Sequence, residues 1–118
     1  MNIDNHMTNK SLRDIENISK TKLTLGLLIW SIRVGDSISQ VNFAKILGIS
    51  SSHLCDIEHD RKSVSPDLAR KYANLLGYSE KQFVRLALQG MLDKSGINFD
   101  IELTPRQTNE YTSPRIRT

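Results

Sequence analysis

The sequence has little of what several classes of protein need. Its 118 residues include one cysteine, which excludes an intramolecular disulfide. No apolar run approaches the ~20 residues of a membrane-spanning helix, and no basic segment leads into an apolar one near the start, as in a secretion signal. The net charge of +3 is spread along the chain without a polybasic block. We therefore expect a cytoplasmic protein without membrane contact, built as one domain with a modest core.

Patterns for catalysis and metal binding are missing as well. The sequence has no glycine-rich phosphate loop, no nucleophile with an evident base and no carboxylate pair in an apolar frame, so we expect no enzyme and no cofactor. Cys55 and His59 have the i, i+4 spacing of a helical ligand pair, with His53 and Asp56 nearby. Because no CxxC or HExxH pattern accompanies them, an uncharged cysteine is favoured over a metal or redox sensor.

Residues 39–60 have the pattern of two short helices joined by a tight turn. Ser39 and Ser50 are N-cap residue types, and each precedes a short amphipathic segment. The apolar residues on one side of these segments are Phe43, Ala44 and Leu47, then Leu54 and Ile57. Ala44 is small enough for a close helix crossing, and Gly48 tolerates the positive φ that a short turn requires. The pattern predicts a helix-turn-helix.

The flanking segments predict three more helices. The first runs from Thr24 to Val34 and carries a buried stripe at four-then-three spacing. Another begins at the N-cap Ser65 and stops at Gly77. The last opens with a serine and a glutamine in capping-box spacing, at Ser79 and Gln82.

These residues resemble the helix-turn-helix family of the lambdoid phage repressors and Cro, called the XRE family. The resemblance covers roughly residues 23–76. The positions that carry it are Leu25, Gly26, Ile29, Ile32, Arg33, Gln40, Phe43, Ala44, Gly48, Ile49, Leu54, Ile57, Glu58, Ser65 and Pro66. It implies a mainly α, five-helix domain, similar to that of lambda repressor, that binds duplex DNA. It also implies a structural ion pair between Arg33 and Glu58.

The second helix of the motif is expected to contact DNA. With Leu54 and Ile57 buried, its solvent-facing line consists of Ser52, Cys55, Asp56 and His59, beside Ser51. The resemblance places Ser51, Ser52, Cys55 and Asp56 at base-reading positions and Gln40 at a phosphate-contacting one. Asp56 could accept from a cytosine amino group. The expected DNA-binding residues are thus Gln40, Ser50, Ser51, Ser52, Cys55, Asp56, His59, Arg61 and Lys62.

The spacing of the apolar residues changes near the end of the chain. After Gly96, Ile97, Phe99, Ile101 and Leu103 alternate with polar residues, which predicts a strand with one apolar side. No second strand is evident, so its natural partner is the same strand of another copy. The alternative is that a toxin or another protein supplies the neighbouring strand. We expect a homodimer in which Phe83 and Ala87 of the last helix lie beside the paired strands. Alternatively, this helix face packs on its own domain, or on both its own domain and the second copy.

The segments before and after the domain have several interpretations. Residues 1–22 are an arm that is either frayed or forms a docking helix with Leu12, Ile15 and Ile18. Leu27, Leu28 and Trp30 form an apolar surplus that the arm, a partner subunit or the C-terminal segment would cover. We divide the chain into the arm (1–22), the helix-turn-helix domain (23–77), a dimerising helix and strand (78–103) and a flexible tail (104–118).

Three functions fit this organisation. The first is a transcriptional repressor that binds an inverted-repeat operator in double-stranded DNA as a homodimer. The second is an antitoxin that regulates its own promoter and also binds a toxin protein. The third is a protein-interaction module, which would show no salt-dependent DNA binding.

Overall fold

The computed structural model describes residues 23–107, and these residues form five helices and no strand. The helices are α1 (Leu25–Gly35), α2 (Gln40–Leu47), α3 (Ser51–Glu58), α4 (Pro66–Leu76) and α5 (Glu80–Lys94). The mainly α fold with an α2–α3 helix-turn-helix is as predicted. The helix considered for the arm at residues 1–22, and residues 108–118 of the tail, lie outside the described residues.

Side-chain hydroxyls define where all five helices begin. Each helix follows a serine or threonine whose oxygen accepts from a backbone N–H in the first turn, at Thr24, Ser39, Ser50, Ser65 and Ser79. Such a bond satisfies one of the amides that have no partner within a helix, and each cap is worth about 1 kcal/mol. Gly48 and Gly77 end α2 and α4 in the left-handed conformation, both at φ 76°. Local chemistry alone therefore sets most helix boundaries.

One hydrophobic core is shared by all five helices. Its buried apolar side chains are Leu25, Ile29, Ile32, Phe43, Ala44, Leu47, Leu54, Ile57, Val64, Ala69, Tyr72, Ala73, Phe83, Leu86 and Ala87. Phe83 is 0% exposed and Ala87 is 6% exposed. Of the alternatives for this helix face, a dimer interface or packing on its own domain, the structure shows burial of both side chains in the core of the single chain. Leu28 also packs against this core, so it does not belong to the apolar surplus on α1.

A glycine allows α1 to approach the end of α3 closely. A Cβ atom at Gly26 would overlap the carbonyl oxygen of Ile57 and the carboxylate of Asp60. Asp60 has a positive φ of 58°, a conformation that aspartate tolerates better than most residues. Its carboxylate accepts from the Thr24 hydroxyl at 2.9 Å. The start of α1 is therefore fixed against the loop that follows α3.

The C-terminal segment is held by a side chain and not by another strand. Residues 97–107 have no regular secondary structure in the described part of the chain. The buried Gln89 of α5 donates to the carbonyl of Phe99 at 2.8 Å and accepts from the amide of Ile101 at 2.8 Å. The strand expected at 97–103 is therefore not formed among the described residues, which offer no second strand to pair with it.

None of the described helices is long and apolar enough to cross a membrane.

Candidate nucleic-acid interface

Helix α3 presents a polar face to solvent. Its inner side buries Leu54 at 0% and Ile57 at 1% exposure. Ser52 and His59 are exposed, and the other residues of the expected line, Ser51, Cys55 and Asp56, are half-buried. The Ser50 hydroxyl accepts from the His53 amide at 3.0 Å, so its side chain serves as the N-cap of α3. An exposed helix of this kind fits the width of the DNA major groove.

A buried ion pair orients this helix. Arg33 donates from Nε to Oε2 of Glu58 at 2.6 Å and from Nη2 to Oε1 at 3.2 Å. Its third contact is to the carbonyl of Ile38 at 3.0 Å. The Glu58 side chain is 1% exposed and that of Arg33 is 15% exposed. The pair that the family resemblance implied thus ties α1, and the loop before α2, to the end of α3.

Gln40 belongs to the same cluster. Its Nε2 donates to Oε1 of Glu58 at 3.0 Å. A residue expected to contact a phosphate therefore also provides a hydrogen bond to a buried carboxylate. This bond fixes the start of α2 against the end of α3. The Asn42 amide donates to the Ser39 hydroxyl, so the backbone N–H groups of Gln40 and Val41 and the second amide hydrogen of Gln40 are the donors available to an anion.

Arg61 folds back over the solvent-facing side of α3. Its Nε donates to Oδ1 of Asp56 at 2.9 Å and its Nη2 to Sγ of Cys55 at 3.4 Å. The hydrogen bond from Arg61 lowers the pKa of Asp56 below its ordinary value, and the same bond raises the pKa of Arg61. Asp56, expected to read a base alone, is therefore engaged by a cation that comes from the following loop.

The loop that carries Arg61 is closed onto the end of α3. The amides of Arg61 and Lys62 both donate to the carbonyl of Asp56, at 2.8 and 3.2 Å. The side chain of Lys62 remains exposed. This places Lys62, a second cation among the expected DNA-binding residues, next to the solvent-facing side of α3.

The contacts of Cys55 and His59 give no support to a metal site. The Nδ1 atom of His59 lies 3.7 Å from Sγ of Cys55 and 2.8 Å from the Cys55 carbonyl oxygen, which is an ordinary contact within a helix end. Among residues 23–107, no three histidine, cysteine, aspartate or glutamate side chains are grouped to hold a metal ion.

Two relationships at this site were missed by the sequence analysis. The Asp56–Arg61 pair spans five residues across a helix end, where no helical spacing rule applies. The bond between Gln40 and Glu58 joins residues that are 18 apart. The sequence contains a signal for the Asp56–Arg61 pair, because an acidic residue on the exposed side of a predicted helix precedes an arginine in a short loop.

Residues 32–83, somewhat under half of the chain, match the protein family described as Helix-turn-helix. The match begins near the end of α1, includes α2, α3 and α4, and ends in α5. No curated protein and no solved structure matches the chain. The family match, the α2–α3 geometry and the buried Arg33–Glu58 pair agree. The chain therefore carries a helix-turn-helix DNA-binding domain of the XRE family, a domain of transcription regulators.

Proposed function

We propose that the protein is a repressor that binds an inverted-repeat operator in double-stranded DNA as a homodimer. The observation that carries the proposal is the exposed face of α3, which the Arg33–Glu58 pair and Gln40 hold rigidly against α1 and α2. Base contacts would come from Ser51, Ser52 and the Asp56–Arg61 pair. Binding over a promoter would exclude polymerase.

Phosphate contacts are assigned to two groups of residues near the end of α3. The first is Gln40 with the backbone amides at the start of α2. The second is Lys62 with the exposed His59. Contacts to phosphates fix the register of a protein on the duplex and make its affinity depend on salt. Because few cations are involved, we expect a modest salt slope.

The proposed dimer uses the segment that Gln89 holds along α5. The amide of Gln89 occupies the backbone edge of Phe99 and Ile101, as a neighbouring strand would. The opposite edge, formed by the backbone of Asn98 and Asp100, has no hydrogen bond within the described residues. Phe99 is 72% exposed beside it. An open edge next to an exposed aromatic ring favours pairing with a second strand.

Charge disfavours two registers of this pairing, and contact between aromatic rings favours a third. An antiparallel pair centred on Asp100 would place two carboxylates opposite each other, and one centred on Ile101 would place Asp100 opposite Glu102. Like charges in opposite positions are destabilising. Centring on Phe99 places Asn98 opposite Asp100 and brings the two phenyl rings together. We therefore propose that the two-fold axis passes beside Phe99.

The test compares the full chain with a truncation ending at Gly96. Light scattering gives the oligomeric state, and the DNA upstream of the protein's own gene is titrated at two salt concentrations. We expect a dimer that binds this DNA and a truncated monomer that binds far more weakly. A full chain that is monomeric, or that ignores this DNA, would contradict the proposal.

The register has its own test in a Cys55→Ser background. Phe99→Cys should form an intermolecular disulfide under mild oxidation, since opposed residues of a non-hydrogen-bonded pair have neighbouring Cβ atoms. Ile97→Cys is the matched control and should not, because it lies opposite residue 101 in this register. Equal crosslinking of both variants would contradict it.

An apolar stripe on α1 favours a second candidate function, that of an antitoxin. Trp30 and Val34 are 42% and 46% exposed, and the half-buried Leu27 continues their stripe. Their spacing places all three on one side of the helix, where a toxin could dock. Co-expression with the product of the neighbouring gene tests this. Co-purification that Trp30→Lys abolishes, with DNA binding retained, would support it, and no co-purification would contradict it.

A further inference from the structure

The face of α3 is poor in side chains that read bases strongly. Ser51, Ser52 and Cys55 are short and uncharged, and Asp56 is acidic. An unpaired carboxylate facing DNA would be repelled by the phosphates. The Asp56–Arg61 contact changes this, because it neutralises the carboxylate and brings a guanidinium over the same face.

The hydrogen bonds of Arg61 use one edge of its guanidinium group. The Nε–H bonds to Asp56 and one N–H of Nη2 bonds to Cys55, and these two donors lie on the same side of the planar group. The outer end, with one N–H on each Nη atom, has no acceptor within the described residues. The Arg61 side chain is 55% exposed, so this end is open to solvent.

Two parallel N–H donors match one base edge in the major groove. Guanine presents O6 and N7 there as a pair of acceptors, and a bidentate arginine is the commonest specific contact to it. We propose that Arg61 is the residue that selects guanine in each half-site, and that Asp56 is the positioning residue that aims it. This inference rests on the proposed function, namely specific binding of duplex DNA.

Asp56 thereby takes a different role from the one expected of it. One of its carboxylate oxygens is engaged by Arg61, so its main contribution is to hold the guanidinium in a fixed orientation. Pre-organisation reduces the entropy lost when a long side chain binds. A lysine in place of Arg61 would keep the charge and lose the bidentate geometry.

The test selects binding sites from a randomised duplex library with the full-length protein. The wild type, Arg61→Lys and Asp56→Ala are each titrated with the selected site, with the same site carrying adenine for guanine, and with unrelated DNA. The matched control is the exposed Asp67–Arg70 pair on α4, in which the two side chains are 3.4 Å apart. The control variants are Arg70→Lys and Asp67→Ala.

The wild type should prefer the guanine site, and Arg61→Lys should lower this preference by at least about fivefold, the lower end for a bidentate pair. Asp56→Ala should lower it in the same direction by a smaller factor, and the α4 controls should leave it unchanged. Circular dichroism verifies that each variant is folded.

Four other results would overturn the inference. If Arg61→Lys keeps the guanine preference, Arg61 is a phosphate contact. If Asp56→Ala leaves the preference intact, Asp56 does not position Arg61, and if it alone removes a preference for cytosine, Asp56 reads that base. If the wild-type protein selects no site, the proposed function fails together with the inference. Failure of the inference alone is recognised because the wild type still selects a site.

Discussion

Arg33 and Glu58 form a bidentate ion pair that joins α1 to the end of α3, with 2.6 Å between Nε and Oε2. Both side chains are largely withdrawn from water, and Gln40 donates to the same carboxylate. Together, the pair and Gln40 fix α3 against both of the helices that precede it. Its energetic role follows from its burial, because a charge in the interior is costly once its partner is removed.

Arg33→Met should lower the free energy of unfolding by about 3 kcal/mol, since it leaves the Glu58 carboxylate buried without its cation. The double variant Arg33→Met, Glu58→Met should lose less than the single one. Arg70→Met, which removes an exposed pair, should change stability by less than about 0.5 kcal/mol. Urea denaturation measures all three. A single variant as stable as the wild type would show that the pair does not hold the fold.

Gly26→Ala should be destabilising by about 2 kcal/mol or more, because the new Cβ atom would overlap the Ile57 carbonyl and force α1 away from α3. Gly90→Ala in α5 is the matched control. Nothing lies within 4 Å of its added Cβ, and alanine is the better helix former, so this variant should gain about 0.5–1 kcal/mol. Thermal unfolding of both tests the close approach. Equal effects of the two substitutions would argue against it.

Gln89→Leu should release the C-terminal segment from α5. The variant keeps a buried side chain of similar size but cannot bond to Phe99 or Ile101. Hydrogen exchange at the Ile101 amide should then accelerate strongly, while amides in α2 keep their wild-type rates. Unchanged exchange at Ile101 would mean that the segment is held by other contacts. Gln82→Leu, at an exposed position of the same helix, is the control.

The pKa of Asp56 should rise toward its ordinary value when Arg61 is replaced by methionine. In the wild type the hydrogen bond from Arg61 depresses this pKa, so the pair contributes to stability above the ordinary carboxylate range. That contribution is lost as the pH falls through the depressed pKa. Carboxyl-detected NMR titration measures the shift, with Arg70→Met as the control. A pKa that Arg61→Met leaves unchanged would contradict the pairing in solution.

Most of the fold could be predicted because its signals are local. The caps at Ser39, Ser50 and Ser65 and the glycines at 48 and 77 define helix ends within a few residues of sequence. The Arg33–Glu58 pair came only from the family resemblance, since residues 25 apart leave no periodic trace.

The sequence analysis left two tertiary relationships open for a common reason. Periodicity identified the apolar face of α5 that carries Phe83 and Ala87 without identifying what covers it. The strand at 97–103 was inferred from alternation, and the structure shows that a side chain, Gln89, satisfies that backbone edge. Both outcomes depend on tertiary contacts that a one-dimensional pattern does not contain.

The most direct test of DNA recognition by α3 is fluorescence anisotropy with a labelled duplex from the upstream region of the gene. Ser52→Glu adds a negative charge in the exposed first turn of α3, and Gln82→Glu adds the same charge in the first turn of α5. An acid in either first turn is compatible with the helix. We expect salt-dependent binding that Ser52→Glu weakens by about tenfold or more and Gln82→Glu leaves nearly unchanged. Equal affinities for the two variants, or no binding by the wild type, would contradict the assignment of α3 as the recognition helix.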